Sequence, residues 1–149
     1  MADAADAIIS IHSSYADAIL AGTKTVELRR KLPEISPGTR LWIYATRPIG
    51  AVVGFVTVSE VDRAAPATIW EKYRAGAGID RAAFQDYFDG APEATAIFLA
   101  AACRIGPIDI SQLRQIRHSF HPPRVLTRLT AVETTALRKF AASERIKGA

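Results

Sequence analysis

Apolar and polar residues run along this chain in short alternating or clustered stretches that predict strands and helices of modest length. Ile8 to His12 reads as a buried strand. A helix is predicted from Ser14 to Ala21, capped by Ser14 with Asp17 three residues on, or by Ser13, and carrying Tyr15, Ile19 and Leu20 on one face. Gly22 suits the left-handed position that ends such a helix. From Thr25 the pattern alternates like a strand, with Val26 and Leu28 on one face and Thr25, Glu27 and Arg29 on the other. Strict alternation puts Lys24 on the Val26 face, so Lys24 meets Glu27 only if the chain bends there.

Pro33 and the Pro37-Gly38 turn separate that strand from the next, Arg40 to Thr46. Here Leu41, Ile43 and Ala45 alternate with Trp42, Tyr44 and Thr46. Trp42 is expected in the core, and Tyr44 and Thr46 in a pocket wall near the strand end. Gly50 to Asp62 is a long valine-rich strand, and Gly54 inside it signals a bulge or bend. Pro66 opens a helix with Ile69, Trp70 and Tyr73 inward, ended by Gly76 and Gly78. Asp80 caps a second helix whose Phe84, Tyr87 and Phe88 have the helical spacing of core residues, with Gly90 as the stop. Ala94 to Ile105 is a strand, closed by Gly106-Pro107, and Asp109 caps a short turn through Leu113. Thr130 and Glu133 form a capping box for a helix to about Ala142, with Leu137, Phe140 and Ala141 inward. There is no βαβ rhythm, so the class is α+β and not a doubly wound sheet; strands as long as 50–62 curl across barrels in small domains.

Composition narrows the class. At 149 residues the chain is one domain, here residues 8–142, with 1–7 and 143–149 expected as flexible ends. No apolar run is long enough to span a bilayer and the acidic, alanine-rich start lacks the form of a signal peptide, so the expectation is a cytoplasmic protein with no membrane partner. A single cysteine, Cys103, excludes an internal disulfide and a cysteine-rich zinc site. The net charge of +4 is unevenly spread: residues 1–103 hold ten Lys and Arg against twelve Asp and Glu, whereas residues 104–149 hold nine against three. Seven of those nine are arginines, whose forked donors suit phosphate, so the C-terminal third is either a polyanion-facing side or a solubilising surface.

Two stretches carry candidate chemistry. Lys24, Glu27 and Arg29 place three formal charges within six residues, where a carboxylate between cations can accept from an amino group, orient a cation or act as a base, or where the charges simply neutralise each other in solvent. Arg117-His118-Ser119-Phe120-His121-Pro122-Pro123-Arg124 sets an aromatic ring among basic residues, a base-stacking and phosphate-gripping pattern. His118 and His121 are metal-ligating types without a third ligand nearby, and no phosphate loop or cofactor motif is present, so neither metal nor cofactor is expected.

The segment Gly-x-Lys-x-x-Glu-x-Arg at Gly22, Lys24, Glu27 and Arg29 resembles the signature of the ASCH domain, a branch of the PUA-like superfamily. The preceding strand and helix and the following Tyr44-Ala45-Thr46 strand fit the same pattern, and the likeness runs from about Ile8 to Leu129. It implies a PUA-like mixed β-barrel of about five to six strands with flanking helices, and a cleft beside the first helix and the motif strand. It further implies recognition of single-stranded RNA, DNA, or a modified base or nucleoside. The residues expected to line that cleft are Lys24, Glu27, Arg29, Tyr44 and Thr46, joined by Arg117, His118, Ser119, Phe120 and Arg124; the oligomeric state is left open.

Two other classes stay open. Some ASCH proteins are similar to small amidohydrolases acting on acylated cytidine, in which a threonine three residues after the motif lysine is the nucleophile. Glu27 stands at that position here, so Thr25, Thr46 or Ser119 would have to substitute. In a ribonuclease, Lys24 would stabilise a pentavalent phosphate and His118 or His121 would move protons; Lys24 and Glu27 are thus the catalytic candidates if the protein is an enzyme. The third class is an interaction module whose cleft is filled by its own side chains.

Overall fold

The computed structural model describes residues 5–147. The outermost parts of the two expected flexible ends, residues 1–4 and 148–149, lie outside the described residues. Six strands form one sheet: β1 (Ala7–Ile11), β2 (Val26–Arg29), β3 (Arg40–Ala45), β4 (Ala51–Ala64), β5 (Ala94–Asp109) and β6 (Leu126–Arg128). Their order is β2-β5-β4-β3-β1-β6. β1 runs parallel to β3 and the other pairings are antiparallel. The helices are α1 (Ser13–Ala21), α2 (Pro66–Ala77), α3 (Arg81–Phe88), α4 (Ile110–Leu113) and α5 (Ala131–Lys147). Among the described residues, no helix is long and apolar enough to cross a membrane.

The sheet curls into a half-barrel because its two longest strands are bulged. Between the pairs Val52↔Ile108 and Gly54↔Arg104, β4 advances two residues while β5 advances four. The surplus holds Pro107, which has no N–H to give a ladder. Gly106-Pro107 therefore does not end the strand, as its composition suggested; β5 absorbs it in a bulge and continues to Asp109. A second surplus, between Phe55↔Cys103 and Thr57↔Ala100, coincides with the positive φ of Ala101. Gly54 permits close approach here: a Cβ on it would lie 2.5 Å from the Cys103 carbonyl and 2.6 Å from Leu20 Cδ2.

Several local expectations are corrected. α1 is capped by His12, whose ring accepts from Ser14 N, because Ser13 Oγ donates instead to Thr46 O. Asp6 is no frayed terminus. It is fully buried, accepts from Trp42 Nε1 at 3.0 Å, and takes both Nε and Nη2 of Arg138 at 2.9 and 2.8 Å, which ties the start of the chain to α5. α5 passes Ala142 to Lys147, since 143–147 contain no helix breaker. Gly76 lies inside α2, and Gly78 alone is its left-handed cap. The Thr130–Glu133 capping box and the Asp109 cap form as expected.

Candidate functional site

The bend that Lys24 needs is built by the end of α1. Gly22 takes φ 85°, and the amides of Thr23 and Lys24 both donate to Ala18 O at 3.0 and 3.1 Å. The chain therefore leaves the helix in a tight hook, and Lys24 joins Glu27 with Nζ 3.4 Å from Oε1. Thr25 N then donates to Gly76 O, docking the hook on α2. Lys24 lies along the end of that helix and its Nζ donates to the carbonyl of Ala77, a cation at a helix C-terminus. Two glycines of this segment leave room for the hook. A Cβ at Gly78 would meet the Lys24 side chain at 3.1 Å, and one at Gly76 would meet Thr25 Oγ1 at 2.5 Å.

Lys24 is 2% exposed. Burial holds its ammonium below the usual lysine range, Glu27 opposes that shift by charge and hydrogen bond, and Arg29 adds to it. On the other side of the carboxylate, Arg29 Nε donates to Glu27 Oε2 at 2.9 Å and Nη2 donates to Ser10 O at 2.8 Å. Glu27 is thus fixed between two cations, giving the row a formal charge of +1.

Ser10 lies on β1 and Arg29 on β2, strands that are not neighbours in the sheet. The row stands where the half-barrel fails to close, and a recess of about 260 Å³ opens there. Its floor is Lys24, Glu27, Leu28 and Arg29; its β1 side is Ser10 and His12. Ile79, Ala83 and Tyr87 close the α3 side, and Tyr15 stands at the mouth with the Lys24 ammonium 5.1 Å from its ring centroid. Tyr15 and Tyr87 are 36% and 42% exposed, so their rings are available to a ligand. A second hollow of about 270 Å³ lies on the other flank of α3, against Trp70, Phe84 and Phe88, with Glu71 and Arg81 at its rim. The first has the convergent polar groups expected of a binding site.

The other sequence candidates lie elsewhere. Tyr44 is 2% exposed and packs near Phe120, itself 2% exposed, in the core under α5; burial pushes the Tyr44 hydroxyl up against a weaker opposing effect of Arg47. Thr46 is half-buried at the end of β3, where its backbone holds Ile11 and Ser13. Arg117 is spent on structure: Nε and Nη2 grip Glu133 at 2.8 Å, and its η nitrogens also reach Thr127 Oγ1 and Arg128 O. That grip holds the Glu133 carboxyl down at about 2. His118, Ser119 and Arg124 are exposed on the loop before β6. The loop borders the recess through Ser10, whose Oγ donates to Pro123 O at 2.6 Å. Of the hydroxyls weighed as substitute nucleophiles, Thr25, Thr46 and Ser119 are all absent from the recess lining.

Sequence reasoning missed Ser10, His12, Tyr15 and Tyr87 as lining residues. A signal for Tyr87 was present: it is the one hydroxylated ring among the aromatic residues of α3, and a phenol seeks a wet edge. His12 could have been found as the polar residue just ahead of a helix. Among the described residues, no group of three or more His, Cys, Asp or Glu is placed to hold a metal ion.

The profile of the ASCH domain matches residues 9–118. The chain belongs to the ASCH domain family. It is 40% identical over 135 residues, 91% of each chain, to an ASCH domain-containing ribonuclease of Zymomonas mobilis. The crystal structure of ASCH from Zymomonas mobilis superposes with a TM-score of 0.87 at 40% identity, covering 90% of this chain and 94% of that one. Human THYN1, solved in complex with 5-methylcytosine-containing DNA, shares the ASCH-like fold with a TM-score of 0.62 at 10% identity, covering 92% and 97%.

Proposed function

We propose that this ASCH domain binds single-stranded RNA and seats one nucleobase in the recess between β1 and β2. The observation that carries this reading is the recess itself: two exposed tyrosine rings at the mouth of an apolar-walled pocket whose floor is a buried row with a charge of +1. Rings stack on a base face, and the floor meets its polar edge. The exposed His121 and Arg124 lie on the loop beside Ser10, where neighbouring phosphates would pass.

A second reading, RNA cleavage, is favoured by the name of the relative that is 40% identical over nearly the whole chain. In that reading the recess holds a base while the adjoining ribose 2′-hydroxyl attacks its own 3′-phosphorus. One group takes the hydroxyl proton and another returns a proton to the departing 5′-oxygen. His12, His118 and His121 are the exposed imidazoles for such transfers. Lys24 is less suited to a phosphate contact, since its ammonium is buried against Ala77 and Glu27.

The test is a fluorescein-labelled single-stranded RNA followed by anisotropy and by gel. Arg29→Glu and Tyr87→Ala should weaken binding at least about tenfold, and Lys72→Glu, at a distant exposed pair with Asp62, should change it little. Equal effects of the three would remove the recess from the account. Appearance of shorter RNA with the native protein, lost in the recess variants, would establish cleavage.

A further inference from the structure

The donors in the recess carry a specificity of their own, resting on the reading of the recess as a base site. His12 is the N-cap of α1, and its Nδ1 accepts the backbone amide of Ser14 at 3.3 Å, with Ser14 Oγ 2.9 Å away. A backbone amide only donates, so Nδ1 must offer a lone pair, and the neutral ring carries its proton on Nε2. The helix thereby fixes the tautomer of a residue that lines the recess. The second donor is Arg29 Nη1. Nε and Nη2 are held by Glu27 and Ser10, while Nη1 has no protein partner among the described residues. Glu27, the natural acceptor, is 9% exposed with one oxygen facing Lys24 and the other facing Arg29. The polar edge offered to a ligand is therefore rich in donors.

We propose that His12 is the specificity-determining residue of the recess: its Nε2–H, with Arg29 Nη1 as a second donor on the same lining, donates to the 4-carbonyl oxygen of a pyrimidine held between Tyr15 and Tyr87. The occupant assigned is uracil, whose O4 accepts there, whereas the cytosine 4-amino group would point donor against donor; cytosine meets the donors only by turning its O2 and N3 to them. Uracil and cytosine are otherwise alike in size and ring face, so stacking on the tyrosines does not separate them. A phosphate oxygen shares the acceptor chemistry, but the ring faces and the apolar side chains of Leu28, Ile79 and Ala83 favour a base over a bare anion.

The test uses protein labelled with 15N at histidine, read by long-range proton–nitrogen spectra, with uridine, cytidine and inorganic phosphate as separate titrants. In the free protein His12 should show the Nε2–H tautomer. Uridine should shift its Nε2 signal and bind about threefold to tenfold more tightly than cytidine, and phosphate should not reproduce the shift. His12→Asn keeps a good helix cap while removing Nε2–H, so melting should stay close to native while the uridine preference disappears. A native preference in His12→Asn, an Nδ1–H tautomer, or a phosphate shift equal to that of uridine would overturn the assignment. RNA that binds at the recess with no choice between uracil and cytosine overturns this inference alone. Failure of every nucleoside and every single-stranded RNA to perturb recess residues overturns the base site as well.

Discussion

Arg29 on the edge strand β2 and Ser10 on β1 are joined by a 2.8 Å hydrogen bond across a gap between two strands that are not neighbours in the sheet. The same guanidinium grips Glu27, so one side chain both spans the gap and sets the floor of the recess. A lysine keeps the charge but not the fork. Arg29→Lys is expected to fold, to lose about 1–3 kcal/mol in chemical denaturation, and to bind RNA more weakly. Native stability in that variant would mean that the bond to Ser10 does not hold the gap.

The close fit of Lys24 against α2 gives a second expectation. Gly78 has φ 69° and a Cβ there would touch Lys24, whereas Gly38 has φ 92° with nothing within 4 Å. Both alanine variants should incur a backbone cost of roughly 1–2 kcal/mol. Gly78→Ala alone should also displace Lys24 and reduce RNA affinity. Comparing thermal melts and anisotropy for the two separates the backbone effect from the contact.

Acid should weaken one clasp selectively. Glu133 drops from 4.5 to about 2 in the fold, chiefly through its hydrogen bond with Arg117. The folded carboxylate therefore binds its proton less readily than the unfolded one. Its contribution is fully present above about pH 4.5 and is lost as the pH falls from there towards about 2. Glu133→Gln should lower stability by about 1.5–3 kcal/mol at neutral pH and flatten the fall of melting temperature through that acid window. An unchanged acid limb would show that Arg117 and Glu133 do not stabilise the fold.

The motif strand and the long bulged strand were legible from local pattern, period-two alternation after a glycine stop and a glycine inside a valine-rich run. The strand count came with the family resemblance, and Lys24 meets Glu27 only through the hook after Gly22, which strict alternation does not contain. The remainder depended on partners far along the chain. Arg117 looked like a phosphate ligand until Glu133, sixteen residues on, claimed it. Tyr44 alternates like a pocket residue, but the cluster with Leu137 and Ala141 of α5 covers it. Asp6 reads as part of a loose end until Arg138, 132 residues later, closes over it. Tyr87 shares the helical spacing of Phe84 and Phe88, and spacing alone does not tell the inward edge of a helix stripe from the edge that borders a recess.

The central claim, that a base rests between the two exposed tyrosines over the Lys24–Glu27–Arg29 row, is tested most directly by ultraviolet crosslinking of a single-stranded RNA and peptide mapping of the adducts. Crosslinks concentrated at Tyr15 and Tyr87, and abolished by Arg29→Glu, are the predicted result. Crosslinks confined to the loop at 117–124 or to Trp70, and indifferent to Arg29, would contradict it.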